Sequence, residues 1–214
     1  MLTESSPRNP PNTLDVDQVL KQNYIILAKF IAVRVAIIAA LFALPIVLQK
    51  LGVPESFFLA LLMVPPMYVF IFTLYRVRYG VRITQCARVM RLYPLEFHTR
   101  VVYKRTEWTE YGNVFTIRAS IRGQHGAPSM LALNAAGRRR WPEGIENGAW
   151  IAGDLPFGGV LVVPGSNAMM FLNPADWEKM APRREQAGAE RIARAEQAKL
   201  AKRNWKKPVF ARVG

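Results

Sequence analysis

The sequence is poor in the residues from which disulfides, metal sites and catalytic relays are built. It holds one cysteine, Cys86, and two histidines, His98 and His125, in 214 residues. A single cysteine excludes an intrachain disulfide and argues against an oxidising compartment for the folded part. One thiol and two imidazoles are too few for a structural zinc site, so we predict no metal and no cofactor.

Motifs that would name a reaction are also missing. The chain has no strand–GxGxxG–helix or GxxxxGK[ST] pattern to cradle a phosphate. Ser129 and Ser166 lie in no nucleophile-elbow context. We therefore assign no catalytic residue and favour a non-enzymatic protein. The alternative is a lipid- or peptide-modifying membrane enzyme, for which Asp154 and His98 would be the polar pair.

Acidic residues are scarce, and the resulting positive charge is unevenly distributed. The formal net charge is +14, with blocks of about +7 in residues 76–105 and in residues 183–214 around a nearly neutral middle. A nucleic-acid-binding domain usually carries its charge on its folded face. Here the charge flanks the apolar segments and fills the C-terminal tail. This pattern favours an anionic lipid bilayer as a partner over nucleic acid.

Two apolar runs predict a transmembrane hairpin. They cover residues 29–49 and 56–75, and each helix would span about 30 Å, the thickness of the hydrocarbon layer. Pro65 and Pro66 in the second run predict a kink, because a proline has no N–H to donate to the preceding turn. A cleaved signal peptide is the alternative for the first run, but the long acidic segment before it favours an uncleaved anchor.

Basic residues cluster on one side of the predicted hairpin. The positive-inside rule places that side in the cytoplasm. We therefore predict a multi-pass protein of the bacterial inner (plasma) membrane with both termini cytoplasmic. Arg34 lies inside the first run, and its long side chain can extend to the headgroups. The residues predicted at the membrane interface are Lys29, Arg34, Arg76, Arg78, Arg82, Trp205, Lys206 and Lys207.

After Pro94 the apolar period changes from helical to alternating. Short runs such as "NVFTIRASIR" and "GGVLVVPG" are separated by turn residues, with no long helix between them. This pattern predicts a small antiparallel β barrel or roll in a cytosolic domain over residues 79–175. The predicted fold class is an α+β membrane protein.

The remaining segments complete the predicted domain organisation. Residues 1–13 are rich in Pro, Ser and Asn and predict a disordered tail, and residues 14–78 contain the membrane hairpin. Residues 176–214 predict a basic helix and tail. Within them, residues 183–204 favour one long helix with Glu190–Arg194 and Glu196–Lys199 pairs along its surface.

The stretch "GRRRWPEG" is the first candidate contact site in the β domain. Arg138, Arg139 and Arg140 beside Trp141 suit contact with a phosphate, of lipid or nucleic acid, or with a protein partner. A solvated loop is the alternative interpretation.

The stretch "AGDLPFGGV" is the second candidate site. Asp154 is either a ligand contact or an ordinary hydrogen-bonding turn residue. Gly158 and Gly159 suit a β-bulge or a close approach of two backbones. We therefore predict a turn or a ligand site here.

The layout of residues 25–175 resembles that of small two-span bacterial membrane proteins with a cytosolic β module, including those with a PH-like barrel. The stretches "YPLEF", "RRWPEG" and "AGDLPFGGV" are similar to those of uncharacterised actinobacterial-type membrane proteins. The resemblance implies no activity. We expect a non-enzymatic integral membrane protein that presents a cytosolic β interaction domain to a protein partner or to a second copy of itself. The alternative binding function is that of a membrane-tethered nucleic-acid-binding protein.

Overall fold

The computed structural model describes residues 14–52, 61–109, 112–120, 128–137 and 140–202. The predicted disordered tail and the predicted contact residues Arg138, Arg139, Trp205, Lys206 and Lys207 lie outside the described residues. Within them, two long helices precede an antiparallel sheet and two short helices. The predicted α+β class is confirmed.

The first long helix, α1, comprises Val16–Lys50, 35 residues. It begins at Asp15, whose carboxylate accepts hydrogen bonds from the backbone N–H groups of Asp17 and Gln18 at 3.0 and 3.1 Å. At 1.5 Å per residue the helix is about 52 Å long, roughly 20 Å more than a bilayer core requires. Its length and composition would allow it to cross a membrane.

The second long helix, α2, comprises Val64–Leu92, 29 residues. Pro65 and Pro66 occupy its first turn, where a missing N–H breaks no helical hydrogen bond. Leu61 is helical and residues 62–63 form a turn, so the helical path is interrupted directly before the prolines, where the kink was predicted. The helix also continues across the predicted domain boundary at residue 78 and ends only before Pro94, with Tyr93 in an extended conformation.

The two long helices pack against each other in antiparallel directions. The Tyr24 hydroxyl lies 3.0 Å from the Thr84 hydroxyl, and an ideal Cβ on Gly80 would lie 3.7 Å from Leu27 Cδ2. Later residues of α1 therefore contact earlier residues of α2, as antiparallel packing requires.

In the part of the chain that the structure describes, seven strands form one sheet in which every neighbouring pair is antiparallel. The strands are β1 (Leu95–His98), β2 (Arg100–Thr109), β3 (Gly112–Ser120), β4 (Ser129–Asn134), β5 (Ala149–Asp154), β6 (Gly158–Val163) and β7 (Ala168–Pro174). Their order is β1-β5-β6-β7-β4-β3-β2. The two edge strands follow each other in the chain, separated only by Thr99, so the sheet curls into a nearly closed barrel. The predicted antiparallel barrel is confirmed.

Both faces of β6 are buried, which explains its continuous apolar sequence. Leu161 and Val163 belong to the cluster that fills the barrel, together with Ile117, Met130 and Met170. On the opposite face, Val160 and Val162 pack in a second cluster that also contains residues of the two long helices. The helical members of that cluster are Val19, Leu20, Leu27, Tyr79, Ile83, Cys86, Val89 and Met90. The parts of α1 and α2 outside the apolar runs therefore pack on the barrel.

The C-terminal segment forms two short helices, α3 (Ala181–Glu185) and α4 (Ala189–Gln197), instead of the single predicted helix. Gly188, at φ 79°, separates them. The predicted Glu190–Arg194 pair forms at 2.7 Å. Lys199 lies beyond the end of α4 at φ 58°, and the Leu200 N–H donates to the Ala195 carbonyl at 2.7 Å. This is a Schellman-type ending with buried Leu200 after the turn, so Lys199 lies outside the helix on which its pair with Glu196 was predicted.

Candidate functional site

Large apolar side chains are exposed along one continuous length of the paired helices, which we call the apolar belt. On α1 we assign to it the residues from Val33 to Leu51, and before and along α2 those from Leu61 to Val77. Tyr24, Ile25 and Val81 are exposed outside these ranges. Exposure reaches 60% at Val33 and 63% at Tyr68. A patch this large exceeds what a protein leaves in water and indicates a surface covered by lipid or by another protein. Its members with more than half of their surface exposed are Val33, Val35, Ile46, Leu51, Leu61, Val64, Tyr68, Leu74, Tyr75 and Val77.

A group of arginines and aromatic rings lies where the apolar belt ends, and we call it the basic collar. Arg34 lies 4.5 Å from the centre of the Phe30 ring, and Arg76 lies 5.2 Å from the centre of the same ring. Arg76 and Arg82 also lie 5.0 and 4.8 Å from the centre of the Tyr79 ring. The rings bind and orient the guanidinium groups by cation–π contact. Arg78 makes a similar contact, 5.4 Å from the Tyr75 ring, while Lys29 is exposed.

The barrel contacts the basic collar through the turn after β4. Arg76 Nη1 donates to the Gly137 carbonyl at 3.2 Å. Gly137 has φ 71°, and a Cβ there would lie 2.7 Å from Arg76 Nη1 and 2.8 Å from Tyr79 Cζ. Only glycine fits this close approach without displacing both side chains. The predicted arginine cluster thus begins one residue after the contact, and its described member, Arg140, is exposed.

A second attachment joins α1 to the turn between β6 and β7. Asn23 is buried, and its Nδ2 donates to the carbonyls of Val19 and Asn167, both at 2.8 Å. Asn167, at φ 48°, donates from its own Nδ2 to Gln22 Oε1 at 2.6 Å. The sequence signal for this attachment is weak, because Gln22 and Asn23 are ordinary polar residues in the mixed segment before the first apolar run.

Both attachments lie at the same end of the barrel, which we call the proximal end. The register pairs Asn134 at the end of β4 with Met170 near the start of β7, and Val163 at the end of β6 with Ala168. At the distal end lies the turn between β5 and β6, which contains Asp154. The proximal end therefore faces the apolar belt.

Trp141 belongs to the interior of the barrel more than to a solvated loop. Its ring centre lies 5.0 Å from that of Tyr103 and 5.1 Å from that of Phe115. The half-buried indole packs against the cluster inside the barrel. Packing of this kind holds the chain after Arg140 in place.

Asp154 forms a bidentate ion pair with Arg191 of α4. Arg191 Nε and Nη2 donate to the two carboxylate oxygens at 2.9 and 2.8 Å. The Asp154 side chain is 10% exposed, and this hydrogen-bonded pairing raises the pKa of Arg191. Burial, aided by the nearby Asp154 charge, raises the pKa of Tyr93. The carboxylate fastens α4 to the barrel instead of facing an open cleft.

The two glycines after Asp154 bring backbones together. A Cβ on Gly158, at φ 122°, would lie 2.5 Å from the Leu172 carbonyl oxygen. A Cβ on Gly159 would lie 2.5 Å from the Ala152 carbonyl oxygen. Both glycines are buried, and the close approach of the backbones that they allow was one of the two predicted roles.

His98 lies apart from Asp154. It pairs with Ala149 at the start of β5, whereas Asp154 ends that strand five residues later, about 16 Å away at the usual strand rise. Its side chain is buried and its Nδ1 has no hydrogen-bond partner among the described residues. Burial lowers the pKa of His98, against the opposing effect of Glu96. The structure therefore does not assemble the two residues into one site.

Comparison of the chain with protein-family models, with curated proteins and with solved structures finds no match. Within the described ranges, no group of three His, Cys, Asp or Glu side chains is placed to hold a metal ion. The basic collar and its contact with the proximal end are therefore the site that the geometry defines best.

Proposed function

We propose that this protein is a non-enzymatic integral membrane protein of the bacterial inner membrane. In this proposal α1 and α2 cross the bilayer as a hairpin with both ends cytoplasmic. The barrel is attached to their cytoplasmic extensions and serves as an interaction domain for a protein partner or a second copy. The observation that carries the proposal is the exposed apolar belt, which ends at the basic collar where the barrel is attached.

The lengths of the helices support this arrangement. The segment of α1 before residue 29 adds about 20 Å to what a bilayer core requires. That excess length carries Val19, Leu20 and Asn23, which are all buried against the rest of the domain. Residues of α2 from Tyr79 onward pack in the same cluster. Each helix thus offers an apolar segment to lipid and a cytoplasmic segment to the barrel.

The alternative functions receive less support from the described residues. The enzyme hypothesis requires Asp154 and His98 to act together, and they lie at opposite ends of β5 with Asp154 paired to Arg191. The nucleic-acid hypothesis relies mainly on Arg138, Arg139 and the C-terminal tail, which the structure does not describe. The membrane hypothesis rests on the exposed side chains of the apolar belt and on the arginine contacts of the basic collar, all within the described residues.

Two matched substitutions on α1 test the membrane placement. Ile37 and Ile25 are 45% and 43% exposed on the same helix, but only Ile37 lies within the predicted span. Arginine at a bilayer centre costs about 2.5–3.5 kcal/mol on insertion scales, whereas arginine at the interface is tolerated. We expect Ile37→Arg to reduce retention of the full chain in alkali-washed membranes, and Ile25→Arg to leave it unchanged.

The proposal fails if both variants behave like the unmodified protein. Equal behaviour would mean that Ile37 faces water or a protein surface that tolerates arginine. Purification of the unmodified chain as a monodisperse species without detergent would contradict the proposal in the same way.

A further inference from the structure

We propose that the protein forms a dimer within the membrane, in which one exposed face of α2 packs against the same face of a second copy. This face, which we call the tyrosine face, comprises Tyr68, Phe72 and Tyr75, which follow one another at helical spacing. The inference rests on the membrane placement proposed above. It adds an interface and its occupant, which that placement leaves open.

The rings of the tyrosine face contact one another and are exposed. The ring centres of Tyr68 and Phe72 lie 4.5 Å apart, and those of Phe72 and Tyr75 lie 6.5 Å apart. Their exposed fractions are 63%, 45% and 58%. The contact of α2 with α1 lies elsewhere, since Gly80, which faces Leu27, is about 120° around the helix from Tyr68. Packing of α1 therefore leaves the tyrosine face exposed.

The depth of Tyr68 makes its hydroxyl costly to leave in lipid. In the proposed placement the basic collar marks the cytoplasmic boundary of the hydrocarbon, and Tyr68 precedes Arg76 by eight residues, about 12 Å along the helix. This depth is close to the middle of a core about 30 Å thick. Tyrosine is enriched at the interface, where Tyr75 lies, because its hydroxyl contacts water there. Lipid tails offer the hydroxyl of Tyr68 no hydrogen-bond partner.

The interruption of the helix before α2 adds acceptors within the same core. The carbonyls of Leu61 and Leu62 precede the turn, and Pro65 and Pro66, four residues later, have no N–H to donate to them. Leu61 is 52% exposed. A backbone carbonyl without a donor is also costly in hydrocarbon. Long side chains of a helix lean towards its N-terminus, so Tyr68 leans towards the segment that carries these carbonyls.

A second copy of the chain complements both groups. All copies insert with the same orientation, so two α2 helices pack in parallel about a two-fold axis along the membrane normal. Each copy then offers the Tyr68 hydroxyl as a donor and the Leu61 segment as an acceptor, and the partial charges of the two are complementary. An identical copy has the matching arrangement by symmetry. Hydrogen bonds between helices stabilise helix pairs in membranes.

Dimerisation of the full-length protein in phosphatidylcholine vesicles tests the interface. Subunit counting by single-molecule photobleaching over a range of protein-to-lipid ratios gives the dissociation constant. We expect a dimer, and we expect Tyr68→Phe to raise the dissociation constant about eightfold, as loss of two symmetric hydrogen bonds in a membrane would give. Tyr75→Phe is the matched control, because water replaces its hydroxyl bond at the interface. Both variants keep the ring, and equal effects of the two would overturn the role of Tyr68.

Cysteine cross-linking locates the face independently. Phe72 and Leu74 are 45% and 53% exposed at nearly the same depth, but they point about 160° apart around α2. Cys86 is buried and should not contribute. We expect Phe72→Cys to form disulfide-linked dimers in oxidised membranes and Leu74→Cys to remain monomeric on a non-reducing gel. Cross-linking of Leu74→Cys to an equal or greater extent would overturn the assigned face.

Two further outcomes would overturn the second copy as the occupant. One is a chain that remains monomeric at every protein-to-lipid ratio. The other is a disulfide, in native membranes, between the Phe72→Cys variant and a protein of different mass, which would assign the face to another partner. Either result would overturn the inference alone, because membrane retention in the Ile37→Arg comparison does not depend on association of the chains.

Discussion

Single polar side chains fasten the helices to the barrel at separate points. Arg76 bonds the turn after β4, Asn23 bonds the turn after β6, and Asp154 bonds α4. Each contact joins residues far apart in the chain, so each reports on a different interface. Substitutions at such points test the arrangement one contact at a time.

Replacing Asp154 with asparagine removes one such fastening. The carboxylate is nearly buried while Arg191 is half-exposed. We therefore expect the free energy of unfolding to fall by about 1–2 kcal/mol, between the values typical of surface and of buried ion pairs. Asp176→Asn is the matched control, because its pair with Lys179 is exposed and should cost at most about 0.5 kcal/mol. Thermal unfolding in detergent compares the two, and equal effects would contradict the assigned role of Asp154.

Replacing Gly158 with alanine tests the tight hairpin. The new Cβ would lie 2.5 Å from a backbone oxygen, and a residue with a side chain is strained at φ 122°. Relieving the contact would require a shift of the backbone of one of the two strands. We expect a loss of about 3 kcal/mol or more in the free energy of unfolding. Gly165→Ala, at φ 78° with open space around it, should cost only about 1 kcal/mol. Denaturant titration of both variants checks the ranking, and the reverse order would contradict it.

The burial of His98 leads to a prediction of how the free energy of unfolding depends on pH. Burial holds its pKa below the ordinary value of 6.5, so the unfolded chain binds this proton more readily than the folded chain. Stability from this residue is complete above pH 6.5 and falls as the pH drops from 6.5 towards the lower folded pKa. His98→Gln should flatten that part of the profile. Unfolding midpoints measured across this range for both proteins check the prediction, and parallel profiles would contradict it.

At the scale of whole elements, local signals predicted element types well and continuity poorly. Alternating residues such as Phe115 and Ile117 predicted the strands because that period is local. The continuation of α2 beyond residue 78 was not predicted. It depends on the packing of Ile83 and Val89 against strands that are distant in the sequence. The break at Gly188 was not predicted, because helix propensity does not report the tertiary contacts that end a helix.

The candidate site shows the same division. Its charged members were predicted from sequence, because positive charge beside an apolar run is a local pattern. Its geometry was not, because bringing Phe30 and Arg76 together requires the antiparallel register of two helices. The contact with Gly137 requires in addition the position of a strand end about sixty residues later in the chain.

Gly80 tests the packing of those two helices. It lies in the middle of α2, where an added methyl would reach ordinary contact distance from Leu27. We expect Gly80→Ala to stabilise the protein by about 0.5–1 kcal/mol, the usual gain in helix propensity. Gly80→Phe should destabilise it because the ring would separate α1 from α2. Thermal unfolding distinguishes the two, and destabilisation by alanine would show that the helices lie closer than described.

For the molecule as a whole, the proposed topology places the segment between α1 and α2 on one side of the membrane and the barrel on the other. The lone cysteine makes this testable with little background. Cys86 is completely buried, and burial raises the pKa of its thiol, so the folded protein should not react with maleimide. A cysteine introduced at an exposed position would then report its own location.

Ser56→Cys and Gln197→Cys provide the two reporters. Ser56 lies in the sequence between the long helices, and Gln197 is exposed at the end of α4. In cells whose outer face alone is accessible, a membrane-impermeant maleimide should label Ser56→Cys and leave Gln197→Cys unlabelled until the membrane is permeabilised. Labelling of Gln197→Cys alone would reverse the orientation. Labelling of both positions before permeabilisation would contradict a hairpin, because one crossing, that of α2, must separate the turn from the barrel.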